Sequence, residues 1–253
     1  MNRIAIDDGK RFSLGGENFV IDMSATERRP STSEAFTIVK NEHYLRVYEE
    51  LASAFSPRSI LELGIFQGGS YVLLDKLLSP RRMSAVEISG QPVAPLLQYV
   101  AEKEGRFVHF STSQSDRKIL EHIVRNELAD ELDLVVDDAS HTYQQTRASF
   151  EILFPLLRPG GIYSIEDWNW AHHPDFQPPD APWSKDPALS NLLFEQIMLM
   201  GSAWSISEIR VWKFLYLIRK AETAFPAPDT VQEGDGGSVF DQILSRGRKW
   251  NLI

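Results

Sequence analysis

Acidic side chains follow two short apolar runs of this sequence at the points where the runs end. The runs are Leu132–Val136 and Ile162–Ile165, and His141 stands shortly after the first. The acidic residues that follow them are Asp137, Asp138, Glu166 and Asp167. If both runs are parallel strands, their carboxyl ends meet at the sheet edge where α/β proteins bind ligands. Several carboxylate oxygens and one imidazole there favour a hard metal ion and a general base.

The rest of the chain contains the elements needed to place those two strands in a sheet. Three further buried strands are predicted at Ser59–Leu63, Arg82–Ile88 and Arg106–Phe110. Helical periodicity separates them, and a helix at Thr146–Leu157 is expected to stop at Arg158-Pro-Gly-Gly161. Ser205–Ala221 adds late strands in a hairpin. Alternating strands and helices predict an α/β fold with a doubly wound, mostly parallel sheet.

A glycine-rich turn follows the first of these strands in the segment Glu62-Leu-Gly-Ile-Phe-Gln-Gly-Gly-Ser70. Gly64 permits a tight turn, while Gly68 and Gly69 allow a ligand to approach the backbone closely. The spacing E-x-G-x-x-x-G-G differs from the G-x-G-x-x-G pattern of dinucleotide-binding proteins. The turn therefore indicates either a nucleoside-type cofactor or a purely structural strand–helix connection.

Glu87 stands near the end of the second predicted strand, 23 positions after Gly64. A carboxylate at that place can hold a ribose diol through two hydrogen bonds, although a solvated strand-end glutamate is the alternative. The polar loop Ser111–Asp116 follows the third strand at the same edge. It is expected to contact an adenine ring, or else to be an ordinary connection.

Segments outside the sheet pattern are assigned to substrate binding and to the termini. Residues 1–55 are expected to form an N-terminal extension with a cap helix, whose apolar face starts at Phe36. Residues 56–221 form the predicted catalytic domain, with an acceptor loop at 168–188. That loop contains Trp168, Trp170, Phe176 and Trp183, whose rings suit flat rings or the C–H faces of sugars. Residues 222–253 are expected to be a linker and tail.

Composition excludes several classes of function. The formal net charge is −9, which argues against a large nucleic-acid footprint, because such a surface must be basic. The sequence has no cysteine, so disulfides, thiolate nucleophiles and cysteine-ligated zinc are excluded. No apolar leader segment or membrane span is recognisable, and we expect a cytoplasmic protein.

Together these features resemble the class I S-adenosyl-L-methionine-dependent methyltransferases. The resemblance lies in ELGIFQGGS, the strand-end Glu87, the Gln114-Ser-Asp116 loop and the late hairpin. The segments DDASH and LFPLLRPGGIYSIEDW are similar to the metal-dependent O-methyltransferases of macrolide deoxysugars and of mycobacterial rhamnosyl or methylmannose glycans. The resemblance covers Ser59–Ile218. It implies a Rossmann-like sheet, S-adenosyl-L-methionine and Mg²⁺ as cofactors, a sugar or glycan acceptor, and a homodimer.

The resemblance also implies roles for individual residues. The implied Mg²⁺ ligands are Asp138, Glu166 and Asp167, and the implied general base is His141. The expected cofactor-binding residues are Glu62, Gly64, Gly68, Ser70, Glu87, Ser115, Asp116 and Asp137. Asp137 is expected to shape the cofactor pocket or to cap the helix that follows it. One departure is Ala139, where the family often has glycine.

The expected activity is therefore metal-dependent methyl transfer to a hydroxyl of a sugar or glycan. One alternative applies the same metal chemistry to a catechol or another small-molecule natural product. A second alternative is an NAD-dependent oxidoreductase, against which the missing G-x-G-x-x-G pattern and the two acidic clusters weigh. A third is a non-catalytic protein that binds the cofactor or a partner.

Overall fold

A small sheet precedes the main one in the chain. A computed structural model describes residues 4–24, 26–181, 183–202 and 205–222, so the predicted tail lies outside the described residues except for Glu222. The small sheet consists of β1 (Arg11–Leu14), β2 (Glu17–Ile21) and β3 (Phe36–Ile38). β1 and β2 are antiparallel, and β3 joins β2 in parallel.

The main sheet has seven strands in the order β6-β5-β4-β7-β8-β10-β9. They are β4 (Ser59–Leu63), β5 (Arg82–Val86), β6 (Arg106–His109), β7 (Leu132–Asp137), β8 (Leu157–Glu166), β9 (Ile206–Val211) and β10 (Leu215–Lys220). β4 to β8 pair in parallel, and β10 is antiparallel to both of its neighbours. The predicted doubly wound sheet with a late antiparallel hairpin is confirmed.

Helices cover both faces of the main sheet, as expected for buried parallel strands. They are α1 (Glu42–Ala54), α2 (Gly69–Leu78), α3 (Ala94–Ala101), α4 (Arg117–His122), α5 (Tyr143–Leu153) and α6 (Ser190–Ser202). One apolar core lies between the sheet and α1, α2 and α3, and the other lies between the sheet and α4, α5 and α6. Within the described residues, no helix has the length and apolar character needed to cross a membrane.

The segment before α1 differs from the expectation of one helix from Phe36. Phe36–Ile38 is a strand, and the Asn41 side chain caps α1 by accepting a hydrogen bond from the His43 amide at 2.9 Å. The extended backbone of Asn41 prevents the helix from continuing toward β3. The apolar residues of β3 still face the core, because Phe36 packs edge-on against Tyr99 with ring centroids 5.8 Å apart.

The pattern predicts that the Pro-Gly-Gly sequence ends a helix. In the structure it lies inside β8 instead. Helix α5 ends at Leu153, and β8 begins at Leu157 with an irregular register against β7. Gly160 adopts a φ of +74°, and a Cβ on Gly161 would lie 3.0 Å from the Asp133 carbonyl oxygen. An irregular strand start is one of the few sheet positions that tolerate proline and glycine.

The glycine turn between β4 and α2 lets two other backbone segments approach it. A Cβ on Gly64, whose φ is +81°, would lie 2.3 Å from the Asp138 carbonyl oxygen. A Cβ on Gly69 would lie 2.2 Å from the Thr37 carbonyl oxygen, and Gly68 turns the chain into α2 with a φ of +78°. The absence of side chains therefore brings β3, the glycine turn and the turn after β7 into direct contact.

Replacing Gly64 by alanine should destabilise the protein more than the backbone conformation alone explains. Gly16 provides a matched control, because its φ is +88° but a Cβ there would meet nothing within 4 Å. Gly16→Ala should cost about 1–2 kcal/mol, the usual penalty for a left-handed residue. Gly64→Ala should cost about 3–5 kcal/mol, because crowding is added to that penalty. Urea unfolding of both variants measures the difference, and equal losses would contradict the close approach.

Candidate active site

A cavity of about 560 Å³ opens at the carboxyl ends of the central parallel strands. Its wall includes the glycine turn, the loops after β5, β6 and β7, and the N-terminal residues Arg28 and Thr37–Lys40. The predicted site residues that line it are Gly64, Ser70, Glu87, Asp138, His141 and Asp167. Those that are described but lie outside the wall are Glu62, Gly68, Ser115, Asp116, Asp137 and Glu166.

Glu87 organises the glycine turn from the end of β5. One carboxylate oxygen accepts hydrogen bonds from the amides of Ile65 and Phe66, each at 3.0 Å. The other oxygen accepts from the Ser89 amide at 2.8 Å. A carboxylate oxygen has more than one acceptor site, so these bonds leave Glu87 able to accept from a ligand in the cavity.

Glu62 is a buried carboxyl group beside the Ser70 hydroxyl, which opposes the effect of burial on its pKa. It is 0% exposed, and neither of its carboxylate oxygens has a hydrogen bond to the described residues. Burial raises the pKa of Glu62 to about 8. The neutral carboxyl group is therefore favoured at this buried position.

The polar loop after β6 contributes different residues from those expected. Thr112, Ser113 and Gln114 line the cavity. The Asp116 side chain instead caps α4 by accepting from the Ile119 amide at 3.1 Å, and the Ser115 hydroxyl lies 3.0 Å from that of Ser113. The polarity of the loop predicts that it borders the ligand site, but the sequence does not show which of its side chains face the cavity.

Asp137 lies behind the cavity wall and holds part of it in place. Its carboxylate accepts from the Gln114 amide at 3.0 Å, the Ser149 hydroxyl at 2.5 Å and the Tyr163 hydroxyl at 3.0 Å. Burial raises the pKa of Asp137 to about 6. The Gln114 side chain also accepts from the Ser140 amide, so Asp137 links the polar loop to the turn after β7.

The acidic residues after β7 and β8 meet as the sequence predicts. The two strands pair with Asp137 opposite Ile165, which places the turns that follow them side by side. His141 Nε2 lies 3.0 Å from an oxygen of Asp138, and its Nδ1 lies 3.8 Å from an oxygen of Asp167. Ligand atoms of Asp138, His141 and Asp167 all lie within 4.8 Å of one another.

A lysine that the sequence did not single out lies inside this acidic centre. Lys40 is 1% exposed, and its Nζ donates to Asp138 Oδ2 at 2.7 Å and to Glu166 Oε2 at 2.5 Å. The other Glu166 oxygen accepts from the Tyr48 hydroxyl at 2.5 Å. The Tyr44 hydroxyl donates to Asp167. Lys40, Tyr44 and Tyr48 all come from the segment that joins β3 to α1, or from α1 itself.

The charges of this centre shift the pKa values of its members in opposite directions. Burial favours the neutral carboxyl of Asp138, but the charges and hydrogen bonds of Lys40 and His141 together outweigh burial and lower the pKa of Asp138 to about 2. Burial and the neighbouring Asp138 raise the pKa of Glu166 to about 7. Burial alone would lower the pKa of His141, but its bond to Asp138 and the nearby carboxylates raise it to about 9.

Two residues of the centre have a backbone conformation that is unusual for non-glycine residues. His141 has a φ of 54° and Asp167 has a φ of 50°. Such strain is held only where surrounding contacts compensate for it, and it concentrates at functional sites. The indole of Trp170 provides one such contact, because its Nε1 donates to the His141 carbonyl at 2.7 Å.

Most of the aromatic side chains of the predicted acceptor loop form one cluster. Trp170 packs edge-on against Phe176 and Trp183, with ring centroids 5.4 Å and 5.6 Å away. Phe176 and Trp183 remain 43% and 37% exposed. Trp168 lies apart from them, because it packs on Tyr216 and donates to the Trp212 carbonyl. An aromatic surface is thus joined through Trp170 to the backbone of His141.

Parts of this chain are similar to known proteins. The family model described as "Rhamnosyl O-methyltransferase/CmcI" matches residues 34–196. A rhamnosyl O-methyltransferase of Mycobacterium tuberculosis is 28% identical over 133 residues, which are 50% of this chain and 52% of that protein. Mycinamicin VI 2''-O-methyltransferase of Micromonospora griseorubida is 44% identical over 63 residues, 25% of this chain and 15% of that protein. The chain thus matches about half or less of the length of these curated relatives.

Solved structures agree with this likeness. The MycE methyltransferase of the mycinamycin pathway, in complex with Mg, SAH and mycinamycin VI, superposes with a TM-score of 0.51 at 25% identity. The superposition covers 72% of this chain and 49% of MycE. A putative caffeoyl-CoA O-methyltransferase from Staphylococcus aureus shares the fold, with a TM-score of 0.54, 12% identity, and coverage of 73% and 86%. Since the family model spans most of the main sheet and the acidic centre, the chain belongs to the rhamnosyl O-methyltransferase/CmcI family.

Proposed function

We propose that this chain is an S-adenosyl-L-methionine- and Mg²⁺-dependent O-methyltransferase that acts on a hydroxyl of a sugar or glycan, such as a rhamnosyl or methylmannose glycan. One observation carries the proposal. Asp138, Asp167 and His141 converge on the same cavity that the glycine turn and Glu87 border. The names of the relatives support a sugar acceptor, and the MycE complex with Mg and SAH supports the cofactors.

The side of the cavity near β4 and β5 fits S-adenosyl-L-methionine. When bound, this cofactor supplies an electrophilic methyl carbon attached to a sulfonium. The glycine turn and Ser70 would contact the methionine part, and the buried Glu62 would support them from behind Ser70. Glu87 would accept from the ribose hydroxyls, while Gln114 and its neighbours would face the adenine. Asp137 acts indirectly by fixing Gln114.

The side near β7 and β8 fits a divalent ion, because Mg²⁺ prefers oxygen ligands. Asp138, Glu166 and Asp167 would hold it, with Glu166 reaching the ion from behind the wall, where Lys40 and Tyr48 bond to its two oxygens. When bound, Mg²⁺ lowers the pKa of a coordinated hydroxyl and orients a diol. Three carboxylates that hold the ion leave coordination positions for the acceptor.

His141 would act as the general base. If its Nε2–H donates to Asp138, its Nδ1 is left to accept the proton of the acceptor hydroxyl. Two of the carboxylates that raise the pKa of His141, Asp138 and Asp167, are among those assigned to the ion. If the ion neutralised their charge, the pKa of the His141 imidazole would fall toward the range in which it acts as a base near neutral pH.

A second candidate is a metal-dependent O-methyltransferase of a catechol or another small-molecule natural product. The exposed rings of Phe176 and Trp183 favour it, because an aromatic surface suits a flat phenol as well as a sugar face. The base and the metal ligands would be the same in both cases.

Supplying both acceptor classes under the same conditions should separate the two candidates. With S-adenosyl-L-methionine and Mg²⁺, a rhamnosyl glycoside should be methylated at least ten-fold more efficiently than catechol. Mass spectrometry of the products gives kcat/KM for each acceptor. A preference of the same size for catechol would favour the second candidate.

Removing the base should greatly lower turnover and leave cofactor binding unchanged. His141→Ala should lower kcat by about 10²–10⁴-fold, the usual contribution of general-base catalysis, with an unchanged Kd for S-adenosylhomocysteine. His122→Ala is the control, because His122 lies on α4 and bonds to Asn126. Its kcat should stay within two-fold of the wild-type value. A His141→Ala enzyme of normal turnover would exclude His141 as the base.

The metal requirement is tested separately. EDTA should abolish turnover of the wild-type chain, and excess Mg²⁺ should restore it, because the acceptor hydroxyl is not activated without the ion. Full activity in EDTA would rule out the metal-dependent mechanism. The homodimer and the cytoplasmic location stay predictions of the sequence, and analytical ultracentrifugation tests the first of them.

A further inference from the structure

We propose that Lys40 is a built-in counter-ion of the acidic centre that competes with the divalent cation for Asp138 and Glu166. The lysine then stabilises the protein before the ion binds and weakens the affinity for the ion. This inference rests on the metal site of the proposed function, but not on the identity of the acceptor.

The contacts of Lys40 place its charge where an ion held by both carboxylates would have to be. Its Nζ is 2.7 Å from Asp138 Oδ2 and 2.5 Å from Glu166 Oε2. The side chains of Lys40 and Glu166 are each 2% exposed. One ammonium group therefore joins the turn after β7 to the end of β8 inside the protein.

Electrostatics makes these three groups dependent on one another. Two neighbouring carboxylates with no cation between them repel, and burial strengthens the repulsion because the surroundings screen charge poorly. An ammonium buried without partners is equally unfavourable. Lys40 raises the stability of the centre by resolving both problems, and a divalent ion would resolve the first of them equally well. The two cations are therefore alternatives for the same oxygens.

The backbone holds Lys40 in this position firmly. The segment before it forms β3, whose Thr37 carbonyl packs against Gly69 of the glycine turn. The Ser31 amide and hydroxyl donate to the side chain and the carbonyl of Gln67 at 3.0 Å and 2.7 Å. Lys40 thus reaches the acidic centre from a segment attached to the cofactor side of the cavity.

Lys220 provides a matched control for the loss of a buried lysine. It is 6% exposed, and its Nζ donates to the carbonyls of Pro155 and Leu157 at 2.7 Å and 2.6 Å. These carbonyls lie at the amino end of β8, whereas the acidic centre lies at its carboxyl end. Lys220→Met should therefore change stability without changing the affinity for an ion at the acidic centre.

The experiment compares Lys40→Met and Lys220→Met with the wild type, using the full chain and Mn²⁺ as the probe. Free Mn²⁺ is measured by electron paramagnetic resonance, and thermal unfolding is followed in EDTA and in Mn²⁺. Methionine keeps most of the lysine side-chain length but removes the charge. Lys40→Met should have a lower Tm than the wild type in EDTA, at least a ten-fold lower Kd for Mn²⁺, and a larger rise in Tm on adding Mn²⁺. Lys220→Met should keep the wild-type Kd within two-fold.

The possible results separate this inference from the proposed function. If wild type and Lys40→Met bind Mn²⁺ with equal Kd, the competition is refuted while the metal site stands. If neither binds Mn²⁺, the proposed metal dependence fails as well. A Lys40→Met chain that folds only with Mn²⁺ supports the inference, because the ion replaces the ammonium. One that remains unfolded even with Mn²⁺, while Lys40→Arg folds, overturns it.

Discussion

The carboxylates after β7 and β8 cannot move apart, because the parallel pairing of these strands fixes where both of them end. Asp137 lies opposite Ile165 in the register, so Asp138 and Glu166 enter the same small volume. Their electrostatic repulsion must be offset by hydrogen bonds and positive charge from neighbouring residues. Lys40 bridges the two carboxylates, and the hydroxyls of Tyr48 and Tyr44 donate to Glu166 and Asp167. The N-terminal segment is therefore part of the site.

The two halves of the cavity share their backbone supports. Gly64 lies against the Asp138 carbonyl, and Gly69 lies against Thr37, three residues before Lys40. Asp137 adds a third link through Gln114. A shift in the glycine turn on the cofactor side would therefore be transmitted to the acidic centre. The methyl donor and the acceptor are thus expected to be held at a fixed separation, as in-line transfer requires.

The sequence predicts the strands, the turns and the residues at strand ends, because neighbouring residues determine them. Asp138, His141 and Glu166 could be found because strand ends, turns and a motif mark them within a short stretch. Lys40 could not be found in this way, because its partners lie 98 and 126 positions away in the chain. The apolar residues of Phe36–Ile38 continue the spacing of α1 and so predict a helix, whereas their pairing with β2 makes them a strand. The composition of Pro-Gly-Gly predicts a helix stop, but β8 pairs with β7 on both sides of it, at Leu157 and Ile162, and this pairing keeps it within the strand.

The hydrogen bond from Trp170 to the His141 carbonyl has a consequence for how acceptor preference can diverge. The loop that would meet the acceptor also supports the strained backbone of the histidine. Insertions or exchanges that remodel the aromatic cluster for a new acceptor would also disturb the imidazole unless the indole stays in place. Trp170 is therefore expected to be the fixed point of an otherwise variable loop, around which selectivity can change while proton transfer is preserved.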